Sequence, residues 1–150
     1  MEINSEIESI CRDILEVYKQ NIKDSGHEAS GELANTAKYR IAWNGKWFEL
    51  SFVLQDYWKW LENGTKPHFP PIDAIERWIT VKRIIPSTNN GKVPSTRQLA
   101  YMIARGISIH GTKATKLLQK SIDESDNLIS QLVDAIISQM EKEIEQEEAL

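Results

Sequence analysis

Histidine and cysteine, the side chains that most often do chemistry in proteins, are few and scattered in this chain. His27, His68 and His110 lie far apart, and none has the spacing of a metal-ligand motif. Cys11 is the only cysteine in the sequence, which excludes an intramolecular disulfide. It falls in an apolar stripe, which is typical of a small core residue. We therefore expect no metal site and no cysteine nucleophile.

Other patterns of catalytic sites are also missing from the sequence. There is no nucleophile elbow, and residues 89–92 (NNGK) lack the remaining glycines and the Gly-Lys-Ser/Thr ending of a phosphate-binding loop. Glu145 and Glu148 form a carboxylate pair, but on a highly charged tail where exposure to solvent is the usual explanation. The sequence thus predicts that the protein is not an enzyme and binds no cofactor.

One segment, YWKWLENGTKPHFPP, combines aromatic side chains with cations. Trp58, Trp60 and Phe69 lie beside Lys66 and His68. Such a segment can stack bases and bind phosphates, anchor a protein interface, or fill a small core under a loop. All three interpretations stay open from the sequence.

A basic region follows this segment. Two predicted helices between Ile72 and Ile107 resemble a helix-turn-helix, but their connecting loop is much longer than that motif needs. The basic residues here are Arg77, Lys82, Arg83, Lys92, Arg97 and Arg105. They suit electrostatic, sequence-independent contacts with DNA. A nucleic-acid-binding adaptor or regulator using residues 57–105 is therefore the alternative function.

Charge is segregated along the chain. Residues 1–36 carry a net charge of -5, residues 37–120 carry +9, and residues 121–150 carry -8, which sum to the total of -4. Complementary patches of this kind attract copies of a chain to one another. The acidic helices can equally cover the basic middle within one subunit, so both arrangements remain possible.

The elements that position these residues start with a helix and a hairpin. Apolar residues at spacings of three and four predict a helix over 3–23 that ends at Gly26, then a loop from Ala29 to Leu33 with Gly31 as the turn residue. Asn44-Gly45 predicts a two-residue type I′ turn of a β-hairpin.

The predicted hairpin register follows from that turn. Trp43 should face Lys46, Ile41 should face Phe48, and Tyr39 should face Leu50, with Arg40 opposite Glu49 as an ion pair. One face would then be apolar, and the other largely exposed to solvent. The apolar face comprises Tyr39, Ile41, Trp43, Phe48, Leu50, Phe52 and Leu54.

The second half of the chain reads as helical. The segment ending at Gly64 is a short helix or irregular strand, and Pro71 starts a helix to about Lys82. Its inward-facing residues should be Ile72, Ile75, Trp78 and Ile79. After a polar loop at 86–94, Ser95 or Thr96 should cap a helix that runs to about Arg105, with Gly106 and Gly111 around its end. The apolar side of this helix should comprise Leu99, Met102, Ile103 and Ile107. Helical patterning then resumes near Thr112, with a break around Asp126.

The acidic C-terminal helix, residues 126–150, carries a narrow apolar seam. Ile129, Val133, Ile136, Met140 and Ile144 follow spacings of 4, 3, 4 and 4, as in a short coiled-coil stripe. Leu128, Leu132 and Ile137 widen the seam, which is more typical of a helix packed on a domain. The helix is therefore either part of the core or a subunit-joining element.

These elements predict a single α+β domain over 1–150, with an N-terminal helix, an antiparallel hairpin and several helices packed on it, the last of them long. The apolar runs are too short to span a membrane, and the acidic N-terminus is unlike a signal peptide. The expected location is the cytoplasm of the cell that makes the protein.

Five motifs, taken in order, resemble a known family. They are Ser30-Gly31-Glu32-Leu33; Tyr57 followed by residues 61–68 (LENGTKPH); Pro70-Pro71 with Trp78; Ala100, Ile103, Ala104 and Ile107; and Gly111-Thr112 with Leu117-Leu118. This order over about residues 5–125 resembles the tail-completion and head–tail joining (neck) proteins of tailed bacteriophages, the family typified by the minor tail component of lambda-like siphophages. Ala34 departs from the pattern, since a basic residue often follows the leucine of the first motif.

The resemblance implies a structural virion protein that forms a ring, commonly six- or twelve-fold, at the head–tail junction or the tail end. Its implied partners are copies of itself and other neck, portal-adaptor or tail proteins, with DNA passing through the bore. The protein would assemble in the host cytoplasm and reside in the virion, and no membrane is involved. The candidate subunit-interface residues are Trp58, Trp60, Lys66, His68, Phe69, Arg83, Arg105, Ile129, Val133, Ile136 and Met140.

Overall fold

The computed structural model describes residues 2–26, 31–44, 46–87 and 91–150. Within these ranges the chain forms seven α-helices and a two-stranded antiparallel sheet, which confirms the predicted α+β class with a long C-terminal helix. In chain order the elements are α1 Ser5–Ser25, α2 Glu32–Thr36, β1 Lys38–Trp43, β2 Phe48–Val53, α3 Trp58–Asn63, α4 Ile72–Lys82, α5 Thr96–His110, α6 Leu117–Glu124 and α7 Asp126–Glu148.

Helix α1 is fixed at both ends by its flanking residues. The Asn4 side-chain oxygen accepts a hydrogen bond from the backbone N–H of Ile7 at 2.9 Å, as an N-cap residue does. Gly26 ends the helix in the left-handed conformation, with φ of 68°. The predicted helix and its end at Gly26 are thus confirmed. The buried apolar residues of its inner face are Ile7, Ile10, Ile14, Tyr18 and Ile22.

A short helix, α2, occupies part of the segment that was expected to be a loop. Gly31 is the turn residue, with φ of 75°, and the helix begins directly after it. Leu33 and Ala34 are fully buried against the rest of the core, so packing stabilises a turn of helix too short to show a periodicity. Residues 27–30, which include His27, Ala29 and Ser30, lie outside the described residues.

The hairpin is confirmed, but its predicted register is wrong by two residues. Trp43 pairs with Phe48, and Ile41 pairs with Leu50. A shift of two residues keeps every side chain on its face, because side chains alternate with a period of two. The predicted apolar face is therefore the one that packs against the core, while the predicted Arg40–Glu49 pair is wrong, since Arg40 lies opposite Ser51.

The register differs because Asn44 builds a longer loop. Its side-chain Oδ1 accepts hydrogen bonds from the N–H groups of Lys46 (2.9 Å) and Trp47 (3.0 Å), and its own N–H donates to the Trp47 carbonyl at 3.4 Å. Asn44 has no positive φ, as a type I′ turn would require. Asparagine bonds readily to the backbone two residues on, and here that closes a four-residue loop, 44–47. Gly45 itself lies outside the described residues.

Helices α3 and α4 follow the sequence expectations closely. The first is helical and stops at Gly64, and the second starts after Pro71 and ends at Lys82. Ile75 and Ile79 are buried as predicted, but Trp78 is exposed rather than inward-facing. Trp78 lies about 100° around the helix axis from Ile79, which places it beside the buried face.

Helix α5 is capped as predicted and runs further than predicted. Ser95 and Gln98 form a reciprocal capping box, in which Ser95 Oγ accepts from the Gln98 N–H at 3.1 Å. The helix continues through Gly106 to His110, because an interior glycine costs only about 1 kcal/mol. Gly111 then ends it. Residues 88–90 of the predicted loop lie outside the described residues.

The last two helices meet at the predicted break. Ser125 separates α6 from α7, one residue before the expected position, and its Oγ donates to the Ser121 carbonyl at 2.7 Å. Helix α6 starts at Leu117 rather than near Thr112, because residues 112–116 form backbone hydrogen bonds with Leu61 and Glu62 at the end of α3 and with Thr65 after it.

Three apolar clusters hold these elements together. The first surrounds Tyr18, whose ring stacks on Phe52 at 6.2 Å, and joins α1 to α2, α3 and α6. The second joins the N-terminal half of α1 to α7 and the inner face of the hairpin. The third lies between α4 and α5 and shares no residue with the others. We call residues 66–110 the arm, and the elements around the first two clusters the body.

Candidate interaction surfaces

The arm joins the body at a compact junction, the hub, formed by residues 61–65 and 111–119. Thr65 and Thr112 form an isolated antiparallel bridge, with backbone hydrogen bonds of 3.1 and 3.2 Å and their hydroxyl oxygens 2.8 Å apart. Thr115 donates both its N–H and its hydroxyl to the Leu61 carbonyl, at 3.0 and 2.6 Å. The two segments that connect the arm are therefore bound to each other before they enter the body.

Glu62 fixes the other side of the hub. Its side chain is buried, and its carboxylate accepts hydrogen bonds from the N–H groups of Leu118 (2.7 Å) and Gln119 (3.1 Å). These are unpaired donors of the first turn of α6, where a negative charge also interacts favourably with the helix dipole. Glu62 therefore ties the end of α3 to the start of α6.

Two glycines make the close approach in the hub possible. Gly64 has φ 71° and ψ -176°, and Gly111 has φ 69° and ψ -162°, a region that is open essentially to glycine alone. A Cβ atom at Gly64 would lie 2.4 Å from the Thr112 carbonyl oxygen, and one at Gly111 would lie 2.1 Å from that of Thr65. The Gly-Thr pairs of two of the sequence motifs thus have one structural role: they let the two chain segments pair closely at the base of the arm.

The arm has a thin core of its own. Ala100 and Ala104 of α5 are fully buried against Ile75 and Ile79 of α4, so the small side chains let the two helices pack closely. Arg97 of α5 forms ion pairs of 3.3 Å with Asp73 and with Glu76 of α4. These pairs use the acidic groups of α4 within the arm.

The outside of the arm carries large apolar side chains. On α5, Met102 is 57% exposed and Ile109 is 58% exposed, and both point away from the alanines that face α4. Ile85, after α4, is 88% exposed. The other exposed apolar residues of the arm are Phe69, Trp78, Val81, Val93 and Tyr101. A contiguous apolar patch on a protein surface marks a place where another molecule binds, so these residues are candidates for such a contact.

Helix α7 is a core helix on one side and exposed on another. Leu132 and Ala135 are buried against α1, and the candidate residues Ile129 and Ile136 pack half-buried beside them. Val133, by contrast, is 48% exposed. The predicted narrow seam is therefore divided: some of its residues belong to the core, and the others do not.

The aromatic segment is divided in the same way. Trp58 is half-buried and packs against the first cluster, so it serves the body. Trp60 is 61% exposed, and with His68 it lines an open groove beside the hub that also includes Tyr57 and Ile107.

The remaining candidate residues lie on the arm or its connection. Lys66 is exposed, and its carbonyl oxygen lies 2.9 Å from Nδ1 of His68. Phe69 contacts Tyr101 of α5, with ring centroids 6.0 Å apart. Arg105 is exposed on α5, and Arg83 is exposed at the end of α4 in the left-handed conformation, with φ 53°. Phe69 and Arg105 thus both lie on the arm, whereas other candidate residues lie on α7.

Chemical groups do not converge at these surfaces. Within the described ranges, no three His, Cys, Asp or Glu side chains are placed to hold a metal ion. Cys11 is fully buried, and burial together with the nearby Glu8 raises the pKa of its thiol to about 11, so it stays protonated at neutral pH. No helix among the described residues combines the length and the apolar character needed to cross a bilayer.

Comparisons with protein-family models, with curated proteins and with solved structures found no match.

Sequence reasoning missed several exposed apolar residues. Met102 was assigned to the apolar side of α5, and Tyr101 and Ile109 were not singled out, although they are exposed on the arm. Ile137 was read as widening the core face of α7, yet it is 49% exposed. A signal for these residues was present in the sequence. Apolar residues cover more of the circumference of these helices than one buried face needs, which predicts a second contact surface on the same helix.

Proposed function

We propose that this chain is a structural protein of a tailed-bacteriophage virion, which forms a ring at the head–tail junction or at the tail end and acts by assembly rather than by catalysis. Its partners would be copies of itself, in a six- or twelve-fold ring, and other neck, portal-adaptor or tail proteins. DNA would pass through the bore without sequence-specific contacts. The protein would be assembled in the host cytoplasm and retained in the virion.

The proposal rests first on the order of the family-like motifs and on what those motifs do. Residues 61–65 and 111–118, which carry two of the five motifs, lie together in the hub and position the arm. The Ala100 and Ala104 motif forms the contact between the two arm helices. Motifs that are separated in the chain thus lie together at the base of the arm and between its helices, which supports treating them as one pattern.

The single observation that carries an assembly function is the apolar surface of the arm. The arm leaves Met102, Ile109 and Ile85 more than half exposed, although it has an apolar core of its own between α4 and α5. A subunit of a closed ring must present different surfaces to its two neighbours, because head-to-tail contacts close a ring. An arm with its own apolar outer faces fits that requirement.

The test is to measure the assembly state and the location of the protein. Light scattering after size-exclusion chromatography should give one mass that is a multiple of 17.2 kDa, and electron microscopy should show rings. Mass spectrometry of purified particles from the phage that encodes the chain should detect it. A chain that is monomeric at every concentration and absent from particles would contradict the proposal.

A DNA-binding adaptor is the second candidate, because several arm cations have no acidic partner. In the part of the chain that the structure describes, no ion pair involves Lys82, Arg83 or Arg105. Filter binding with duplex DNA at increasing salt should then show an affinity that falls steeply with salt. Reversal of these three charges should abolish it. DNA binding that is unchanged in that variant would exclude this surface.

A further inference from the structure

Helix α7 exposes an apolar row, the outer stripe, formed by Val133, Ile137, Met140 and Ile144. Three of these side chains are exposed, and Met140 is half-buried. Their spacings of 4, 3 and 4 place all four within roughly 60° of one another around the helix axis. Leu132 and Ala135, which face α1, lie on a different side. The outer stripe is therefore a second helix-packing surface that the body does not cover.

An acidic row runs along one edge of the outer stripe. Asp134, Glu141 and Glu148 follow at intervals of seven residues, and all three are exposed. If Val133 and Met140 take one heptad core position and Ile137 and Ile144 the other, this row takes a flanking position, where charges select the partner helix. Within the described residues none of the three forms an ion pair.

The acidic row argues against pairing of α7 with another α7. In an antiparallel pair, the acidic row of one helix faces the same row of the other. In a parallel pair, Glu148 of one helix faces Glu143 of the other, which is also acidic. Like charges in these positions are unfavourable, so the partner should offer an apolar row with basic neighbours.

Helix α4 of the arm offers such a row. Ala74, Trp78 and Val81 follow spacings of 4 and 3 and are exposed. Arg77 flanks this row, and Lys82 and Arg83 lie at its C-terminal end. The acidic groups of α4, Asp73 and Glu76, are already paired with Arg97. The outward charge of this helix is therefore positive.

We infer that the outer stripe of α7 docks on the exposed α4 row of the arm of a second copy of this chain. The contact joins two different surfaces, so a pair of subunits keeps one free arm and one free stripe, and repetition closes a ring. This inference rests on the proposed function and names the surfaces that its self-assembly uses. Acidic residues of α7 and basic residues of α4 then set the direction of the ring.

Charge exchange tests the contact directly. One variant reverses the stripe (D134K/E141K/E148K), a second reverses the arm (R77E/K82E/R83E), and a third combines both. Each single reversal should raise the concentration at half-assembly at least about tenfold, which corresponds to about 1.4 kcal/mol, and the combined variant should return towards wild type. Sedimentation velocity measures the assembly, and circular dichroism checks the fold.

A matched control makes the same change of net charge at other positions of the chain. The E2K/D13K/E16K variant also replaces three exposed acids, on or before α1, and should assemble as wild type does. Ile137→Ser removes apolar area from the stripe without touching the core and should weaken assembly. An α7–α7 contact would instead leave the combined variant as defective as the reversed stripe, which would overturn the inference.

Two further outcomes separate the inference from the proposed function. Rings that form equally well in every charge variant would overturn the docking contact and leave the ring protein standing. A wild-type chain that stays monomeric at every concentration overturns the docking contact. If that chain is also missing from particles, the proposed function fails with it.

Discussion

The body and the arm use their apolar residues in opposite ways. The body places Ile7, Tyr18, Ile22 and Leu33 out of contact with solvent, at the meeting point of several helices and the hairpin. The arm buries two isoleucines and two alanines between α4 and α5 and leaves other large side chains, such as Met102, exposed. Burial within the chain thus accounts for the stability of the body, whereas the proposed function assigns the exposed apolar residues of the arm to contacts with other subunits.

The largest expected effect comes from removing the arm altogether. Thr65 and Thr112 are paired in antiparallel fashion, so replacing residues 66–111 by Asn-Gly closes the gap with a two-residue turn. We expect the shortened chain to keep the helical circular dichroism of the body and to lose self-assembly entirely. Light scattering and urea unfolding measure the two properties. A shortened chain that still forms rings would break the division between the two regions.

Alanine substitutions of two tyrosines, one in the body and one in the arm, test how the two regions contribute to stability. Tyr18→Ala should lower the free energy of unfolding by about 4 kcal/mol, because it empties a fully buried site in the body. Tyr101→Ala, at an exposed position of the arm, should change it by less than about 0.5 kcal/mol. Urea denaturation gives both values. Equal losses would mean that the arm surface is part of the folding core.

Gly64 tests the hub that separates the regions. Gly64→Ala should cost about 3 kcal/mol, since the Cβ would contact the Thr112 carbonyl and the backbone conformation is nearly closed to alanine. Gly26→Ala is the matched control: φ is 68° there too, but the nearest atom would be 3.7 Å away, so the cost should be about 1 kcal/mol. Thermal unfolding that shifts equally in both would contradict the crossing at Gly64.

The smallest effect concerns Cys11 in the body. Because its pKa is raised to about 11, the folded state keeps the thiol proton while the unfolded state loses it from about pH 9. Stability should therefore be unaffected below pH 9 and fall by at most about 1.4 kcal/mol per pH unit above it. Cys11→Ser should remove this alkaline dependence in urea unfolding. Maleimide labelling of the native protein at neutral pH should be slow, and rapid labelling would show that the body opens there.

The sequence was sufficient wherever a local rule decides the structure. The caps at Gly26, Ser95 and Gly111 mark helix ends because their conformations or side chains suit no other position. The face of each strand was also predictable, since alternation is fixed by the pleat. The hairpin register was not predictable, because Asn-Gly suits both a two-residue turn and a longer loop. Hydrogen bonds from Lys46 and Trp47 to the Asn44 side chain close the longer one.

The candidate surfaces were only partly predictable. Trp58 and Trp60 are two residues apart in one aromatic segment, yet one packs in the core and the other is exposed. Composition does not distinguish them, because the difference depends on which side of α3 faces the first apolar cluster. The role of Glu62 was hidden for a similar reason: its hydrogen-bond partners lie more than fifty residues further along the chain.

The pairing of Thr65 with Thr112 has a consequence for how the chain folds. The two arm helices contact each other over a short separation in sequence, and contacts of that kind form quickly, so the arm is expected to form early. Once formed, it holds two distant points of the backbone a few ångströms apart, and α6 and α7 then reach α1 across a much shorter effective loop. Substitutions at Ala100 or Ala104 that weaken the packing of α5 on α4 should therefore slow the formation of the native body in stopped-flow refolding, although neither residue belongs to the body.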